Sequence, residues 1–114
     1  MILKILVGEQ TYPLDVPDMM LTECEAFYAK MDADMNKGWQ MSSRWVEELD
    51  QEQRCQVVAD RILTAMENEN KKMAIMMAGY ILSRAPLVAG ISINIQGEMF
   101  GHELLDAQQV QTFL

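Results

Sequence analysis

The alternation of apolar and polar positions predicts short β-strands near both ends of the chain. Residues 1–7 are rich in Ile, Leu and Val, and residues 11–16 alternate between apolar and polar side chains after a glycine-led turn. The two segments are expected to pair as a hairpin, whose second strand lies at a sheet edge because Pro13 lacks the N–H that a further strand would need. Residues 91–96 alternate most regularly and predict a third strand, and residues 98–100 predict a short fourth one.

Apolar residues recur at helical spacing through the segment that follows the hairpin. The pattern predicts a helix that opens at Pro17, where proline fits the first turn, and ends near Gly38, a residue suited to a left-handed cap. A short second helix is expected at residues 41–49, because three large apolar side chains recur there at spacings of four.

Two further helices are predicted before the C-terminal strand. Asp50 and Gln53 have the spacing of a capping box, so a third helix is expected to begin there. Residues 73–82 are apolar on every side and predict a fourth helix that lies at the centre of the core or in a subunit interface. Gly79 within it indicates close helix packing, and Pro86 ends it.

These elements predict an α+β fold for residues 1–114 as a single domain. Three or four helices in the middle of the chain would pack on a small sheet made by the N-terminal hairpin and the C-terminal strand. The length of 114 residues suits one hydrophobic core, and the composition, 50% hydrophobic and 23% charged, is that of a folded globular protein.

The net charge and the cysteine content limit which partners and which cellular compartment are expected. With 17 acidic and 9 basic residues the net charge is −8, which disfavours binding to nucleic acid. The uncharged run at residues 73–82 is about half of a membrane span, and the apolar start is too short for a signal sequence. Cys24 and Cys55 are expected to be reduced core thiols, the alternative being a disulfide or a reactive thiol. A cytoplasmic protein is therefore expected.

The stretch DADMNKGWQMSS, residues 32–43, has the oxygen-rich beginning of a calcium-binding loop. The loop would require glycine where Lys37 stands and a bidentate glutamate where Ser43 stands, so no metal site is predicted. Asp32 and Asp34 are instead expected on the solvated side of a helix. Because acids in a last turn oppose the helix dipole, they are predicted to meet a cation, such as Arg44 or Lys37, or a partner.

Both tryptophans lie within one short segment, together with an arginine. Trp39, Arg44 and Trp45 are the strongest candidates for an interaction surface, because Trp and Arg are enriched at binding hot spots. Asp32 and Asp34 are added to these interaction candidates. The alternative is that both indoles belong to the core and that Arg44 is a structural ion-pair partner.

No catalytic residue and no cofactor is predicted. His102 is the single histidine and is expected to be exposed in a glycine-flanked loop, so neither a triad nor a zinc site is formed. The eleven methionines are expected mainly to fill the core, with a Cu(I) site or an adaptable surface as the alternative. The remaining enzymatic option is Mg²⁺ held by acids on facing helices: Glu47, Glu48, Glu52, Asp60, Glu67 and Glu69.

The segments MDADMNKGWQMSSRWV (residues 31–46) and MAGYILSRAP (residues 77–86) resemble stretches of an uncharacterised family of small proteobacterial proteins. The resemblance implies no catalytic motif, ligand or activity. The predicted function is that of a small cytoplasmic, non-enzymatic interaction or regulatory protein with a helical Trp/Arg/Met surface. Its expected partner is a protein or a second copy in a homodimer, not nucleic acid or membrane. The alternative is an enzyme that uses Mg²⁺ or binds a small molecule.

Overall fold

The structure of the chain, a computed structural model, describes residues 1–113. In chain order the elements are β1 (Ile2–Val7), β2 (Gln10–Asp15), α1 (Met20–Glu23), α2 (Glu25–Met35), β3 (Trp39–Met41), β4 (Arg44–Val46), α3 (Gln51–Glu67), α4 (Lys71–Arg84), β5 (Gly90–Ile93), a 3-10 turn (Met99–Gly101), β6 (Glu103–Leu105) and α5 (Ala107–Phe113). The predicted α+β class is confirmed. Within the described part of the chain, every helix is too short or too polar to cross a membrane.

Four strands form one mixed sheet in the order β2-β1-β5-β6. β1 is antiparallel to β2 and parallel to β5, so Ile5 lies between Tyr12 and Ile91. β6 extends the sheet antiparallel to β5. The sequence-based expectation that the N-terminal hairpin and the C-terminal strand share a sheet is therefore confirmed.

β2 is an edge strand, as Pro13 predicted. The Val16 N–H donates to the Met1 carbonyl at 2.7 Å, which continues the pairing towards β1. Because successive N–H groups of a strand point to opposite sides, Pro13 faces the open edge, where the N–H it lacks would have had no partner within the sheet.

The sheet is covered unequally on its two faces. Leu3, Ile5 and Ile91 are fully buried on the face that meets the helices. On the opposite face Val110 of α5 packs against Leu6 and Leu105 in a smaller cluster. A Cβ at position 90 would lie 2.7 Å from Val110 Cγ2, so the glycine there allows α5 to approach the sheet.

α3 and α4 form the centre of the molecule. The predicted capping box is present: Asp50 Oδ1 accepts from the Gln53 N–H at 2.8 Å, and the Asp50 N–H donates to Gln53 Oε1 at 3.0 Å. Ala74 and residues 77–82 of α4 are buried, so most of the helix without a polar face lies within the core as predicted, whereas Met73 at its start is 40% exposed. The predicted close packing at Gly79 is also confirmed, because a Cβ there would be 2.1 Å from the Tyr28 hydroxyl.

The first predicted helix is present but interrupted. It was expected to run from residue 17 to Gly38, whereas α1 and α2 are separated at Cys24, whose φ of −96° and ψ of 9° leave the helical range. Gly38, with φ of +91°, ends the segment in the left-handed region that glycine adopts readily.

The prediction of a helix at residues 41–49 is wrong. β3 and β4 form a separate two-stranded hairpin there, in which Trp39 pairs with Val46 and Met41 with Arg44. Ser42 begins the connecting turn with φ of +57°, a left-handed conformation that no α-helix contains. Spacings of four therefore arose from two short strands joined by a turn, where helical and strand periods cannot be distinguished.

The C-terminal region also differs from the prediction. Residues 98–100 are not a strand, since Met99–Gly101 form a 3-10 turn capped by Glu98, and the last strand is β6. β5 ends at Ile93, because the Asn94 side chain accepts the Gln96 N–H at 2.9 Å and turns the chain. The structure thus has a longer irregular connection between β5 and β6 than the alternation indicated.

Candidate functional site

Residues 38–46, which we call the hairpin platform, carry three of the predicted interaction residues. Trp39 pairs with Val46 and Trp45 pairs with Gln40. Because directly paired residues share a face and neighbours along a strand alternate, the two indoles lie on opposite faces of the hairpin. They therefore do not form one aromatic cluster.

Trp39 faces the body of the protein. Its side chain is half-buried, and the Arg61 guanidinium of α3 lies 5.1 Å from the centroid of the indole ring. Such cation–π contacts contribute about 0.5–1 kcal/mol where they are exposed. Met41, on the same face, is completely buried. For Trp39 the alternative prediction, that the indole packs against the core, describes the contacts well.

Trp45 faces outward, and one edge of its ring packs against the backbone at Gly38. It is 55% exposed. A Cβ at position 38 would lie 2.6 Å from Trp45 Cζ2 and 2.9 Å from the Val46 carbonyl oxygen. Gly38 is therefore required both for its positive φ and for the close approach of the indole. The result is a large aromatic side chain that packs against the backbone and is presented to solvent.

The rest of the platform is held by the segment between β5 and β6. Arg44 lies over the Phe100 ring, with its Cζ 4.4 Å from the centroid. The Ser42 hydroxyl donates to the Gly97 carbonyl at 3.3 Å and accepts from the Met99 N–H at 2.9 Å. Arg44 thus stacks on an aromatic ring. The prediction that it forms an ion pair with the acids at the end of the first helix is wrong.

Asp32 belongs to a network inside the helical layer. Its carboxylate accepts from Arg84 Nε at 2.9 Å, from Arg54 at 3.3 Å and from the Tyr80 hydroxyl. Partial burial acts to raise the pKa of Asp32, but the hydrogen bonds from Tyr80 and Arg84 outweigh it and hold the pKa below 3.8. The cations that pair with Asp32 are therefore Arg54 and Arg84, not Arg44 or Lys37.

Arg84 connects this network to a second carboxylate. Glu25 accepts from both terminal nitrogens of Arg84, at 2.7 and 2.9 Å, and this pair lowers the pKa of Glu25. With Arg54 on α3, the network joins α2, α3 and α4. It stabilises the packing of the three helices, which is a structural role for Asp32.

Asp34 points the other way from Asp32 and is exposed. It lines a cavity of about 20 Å³ with Trp39 and Arg61, room for about one water molecule. The structure therefore brings Asp34 near Trp39, leaves Arg44 and Trp45 exposed on opposite faces of the hairpin, and places Asp32 among the helices. Both acids lie on α2, as the helical interpretation of the stretch predicted.

His102 is buried, at 1% exposure, so the prediction of an exposed loop histidine is wrong. Its Nδ1 accepts from the Asn94 N–H at 2.9 Å, and its Nε2 lies 3.3 Å from Asp60 Oδ1. Because Nδ1 accepts a hydrogen bond, the proton of the neutral ring resides on Nε2 and is donated to Asp60. The buried Gln56 donates to the His102 carbonyl at 3.1 Å. The cluster anchors the C-terminal segment on α3.

The acids proposed for Mg²⁺ do not converge on one point. Glu52 and Glu67 lie at opposite ends of α3, about 22 Å apart along the helix axis, and Asp60 between them is bonded to His102. Within residues 1–113 no three or more His, Cys, Asp or Glu side chains are grouped as metal ligands. The cysteines are free thiols, and burial raises the pKa of Cys55 to about 11.

Sequence reasoning missed the residues that organise both regions. Arg54, Tyr80 and Arg84 lie on helices at positions with no local motif, and they are recognisable as partners of Asp32 only once the helices have packed.

Comparison of the chain with protein-family models, with curated proteins and with solved structures found no match.

Proposed function

We propose that the chain is a small cytoplasmic interaction or regulatory protein, without catalytic chemistry of its own, that binds a second copy of itself through the hairpin platform. One observation carries the proposal: Trp45 is 55% exposed although its ring packs closely against Gly38. Solvent-exposed tryptophan is unusual outside binding surfaces, where Trp and Arg are enriched.

The contacts around Trp45 order the hairpin platform before a partner binds, so binding would cost little conformational entropy. Ser42 holds its left-handed conformation through two hydrogen bonds, Arg44 stacks on Phe100, and Met41 is anchored in the core. Strained residues persist where the surrounding structure fixes them, and this is common at binding sites. A surface that is already ordered contributes more of its contact energy to affinity.

A second copy suits this surface, because a two-fold dimer brings the same patch of each chain together and Trp45 would meet its counterpart near the axis. The apolar α4, which first suggested a dimer, is covered within the chain at Ala74 and residues 77–82, so most of it is not available to a partner. The charge of −8 on each copy opposes association, so dimerisation is expected to strengthen as salt rises and screens this repulsion.

Sedimentation equilibrium over a range of protein and salt concentrations tests the proposal. The expected mass is twice the 13.0 kDa of one chain, and Trp45→Ala is expected to reduce it to one chain while the circular dichroism spectrum is unchanged. Leu87→Ala is the matched control, since Leu87 is 85% exposed but lies outside the platform. A mass of one chain at every concentration, or equal loss of the dimer in both variants, contradicts the proposal.

A further inference from the structure

We infer that the cleft between α3 and α4 beside Arg61 is a binding site for a small organic carboxylate with an apolar body. The cleft has a volume of about 270 Å³. This is just below the range of typical ligand pockets, about 300–1,000 Å³, and suits a molecule smaller than most cofactors.

The floor of the cleft is apolar. Ala65 and Met77 are buried beneath it, and Met73 is 40% exposed at its side. Methionine side chains adapt to irregular apolar ligands because they are unbranched and polarisable. The exposed part of Met73, above the buried Ala65 and Met77, therefore offers the apolar surface for the hydrocarbon part of a ligand.

The rim supplies hydrogen-bond donors. Arg54 and Arg84 are paired with carboxylates, whereas Arg61 has no carboxylate oxygen within 4.0 Å among residues 1–113. Its Cζ lies 5.1 Å from the centroid of the Trp39 indole, a contact with the face of the ring that uses none of its N–H groups as donors to a carboxylate. Asn70 Oδ1 is occupied by the Met73 N–H at 3.1 Å, so the free end of that amide is its NH₂ donor.

The charge of the cleft is opposite to that of the protein. Arg61 is the only charged side chain among the described residues that line it, and no Asp or Glu does so. The net charge of −8 is spread over the whole chain, and charges beyond about 8 Å are largely screened at physiological ionic strength. Asp34 is nearer, since it lines the adjoining cavity with Arg61, but none of its oxygens lies within 4.0 Å of the guanidinium. An anionic head group is therefore favoured locally, above an apolar floor that favours an alkyl or aryl body.

Hexanoate is the probe, with hexan-1-ol and hexylammonium as controls of equal length, monitored by amide chemical shifts of the full chain. Hexanoate at millimolar concentration is expected to shift residues of the cleft, including Arg61, Ala65 and Asn70. Arg61→Gln is expected to weaken binding about tenfold, the loss of one ionic contact. Arg61→Lys should keep most of the affinity, and Arg44→Gln, an arginine outside the cleft, all of it.

Met73→Asp offers a second variant that leaves Arg61 in place. A carboxylate on the wall of the cleft is expected to abolish hexanoate binding without unfolding, since Met73 is partly exposed. Binding of hexanol or hexylammonium as tight as that of hexanoate, unchanged affinity in Arg61→Gln, or no shifts with hexanoate would each overturn the inference. Dimerisation through Trp45 is measured separately, so either idea can fail without the other.

Discussion

Asp32 on α2 and Arg84 on α4 are joined by a 2.9 Å hydrogen bond, although 52 residues separate them. The same guanidinium binds Glu25 with both of its terminal nitrogens, and the same carboxylate also meets Arg54. One ion-pair network thus connects three helices at the partly buried side of the helical layer. Its contribution to stability can be measured directly.

Asp32→Asn is expected to lower the free energy of unfolding by about 1–3 kcal/mol. The variant keeps one acceptor but removes the charge that Arg54 and Arg84 share, and hydrogen bonds to charged groups are worth about 1.5–3 kcal/mol. Urea denaturation measures the loss. Asp34→Asn, two residues away on an exposed position, is the control and should stay within about 0.5 kcal/mol of the unaltered chain.

The stabilisation by Asp32 is also expected to depend on pH. Its pKa in the folded chain lies below the ordinary value of 3.8, so its contribution is fully present above that value and is lost as the pH falls through the lower, folded pKa. The difference in stability between the unaltered chain and Asp32→Asn should be constant from about pH 7 to pH 5 and should narrow below about pH 4. A difference at pH 3 as large as that at pH 7 would show that the substitution acts through packing.

Gly79→Ala is expected to destabilise the protein by about 2 kcal/mol, as overpacked cores do, despite the better helix propensity of alanine. The new Cβ would lie 2.1 Å from the Tyr28 hydroxyl and 3.2 Å from Tyr28 Cζ. Tyr28→Phe removes the hydroxyl, so the double variant should lose less than the sum of the two single variants. Strict additivity in this double-mutant cycle would mean that the close contact is not the cause.

The tautomer of His102 is a further prediction. With Nδ1 accepting from the Asn94 N–H and Nε2 facing Asp60, the neutral ring is expected to carry its proton on Nε2. A two-bond ¹H–¹⁵N correlation spectrum near pH 8 reports this directly, and the assignment is unambiguous because the chain has one histidine. A protonated Nδ1 would contradict the geometry. Asp60→Asn should leave the tautomer unchanged, since Asn94 alone requires a free lone pair on Nδ1.

Glu69→Gly is expected to stabilise the protein by about 0.5–1 kcal/mol. α3 ends in a Schellman motif, in which the Asn70 N–H donates to the Ala65 carbonyl at 2.7 Å and the Glu69 N–H to the Met66 carbonyl at 3.1 Å. Glu69 occupies the left-handed position of this motif with φ of +56°, where glycine has no steric cost. Glu69→Gln separates the two causes: if it stabilises as much as glycine, the removed charge is responsible and not the backbone.

The elements whose formation depends on a local sequence pattern were predicted correctly from the sequence. The alternation in the N-terminal segments, Pro13 at the edge, the Asp50 capping box and the uniformly apolar fourth helix each predicted the element that formed. In every one of these cases the cause lies within a few residues of the effect. The capping box at Asp106 and Gln109, which begins α5, is an equally local cause of a helix.

The candidate site depended on contacts that no local pattern contains. Met41 and Trp45 are spaced as on a helix, but the Ser42 turn and its bonds to residues 97 and 99 made the segment a hairpin. His102 is flanked by Gly101 and was predicted to be exposed. It is buried because Asp60, 42 residues away in sequence, forms a hydrogen bond with its ring. Tertiary partners therefore decided which polar residues were buried, and periodicity carried no information about those partners.

The parallel pairing of β1 with β5 places residue 4 opposite residue 90. At about 5–20 residues per second, a ribosome needs about 4–17 s to make the chain between them. During that interval β1 has a neighbour on one side only, and Leu3 and Ile5 have no finished helical layer to cover them. During that interval the nascent chain exposes β1 with one unpaired edge, and a chaperone that binds this strand would act before any folding step that completes the sheet.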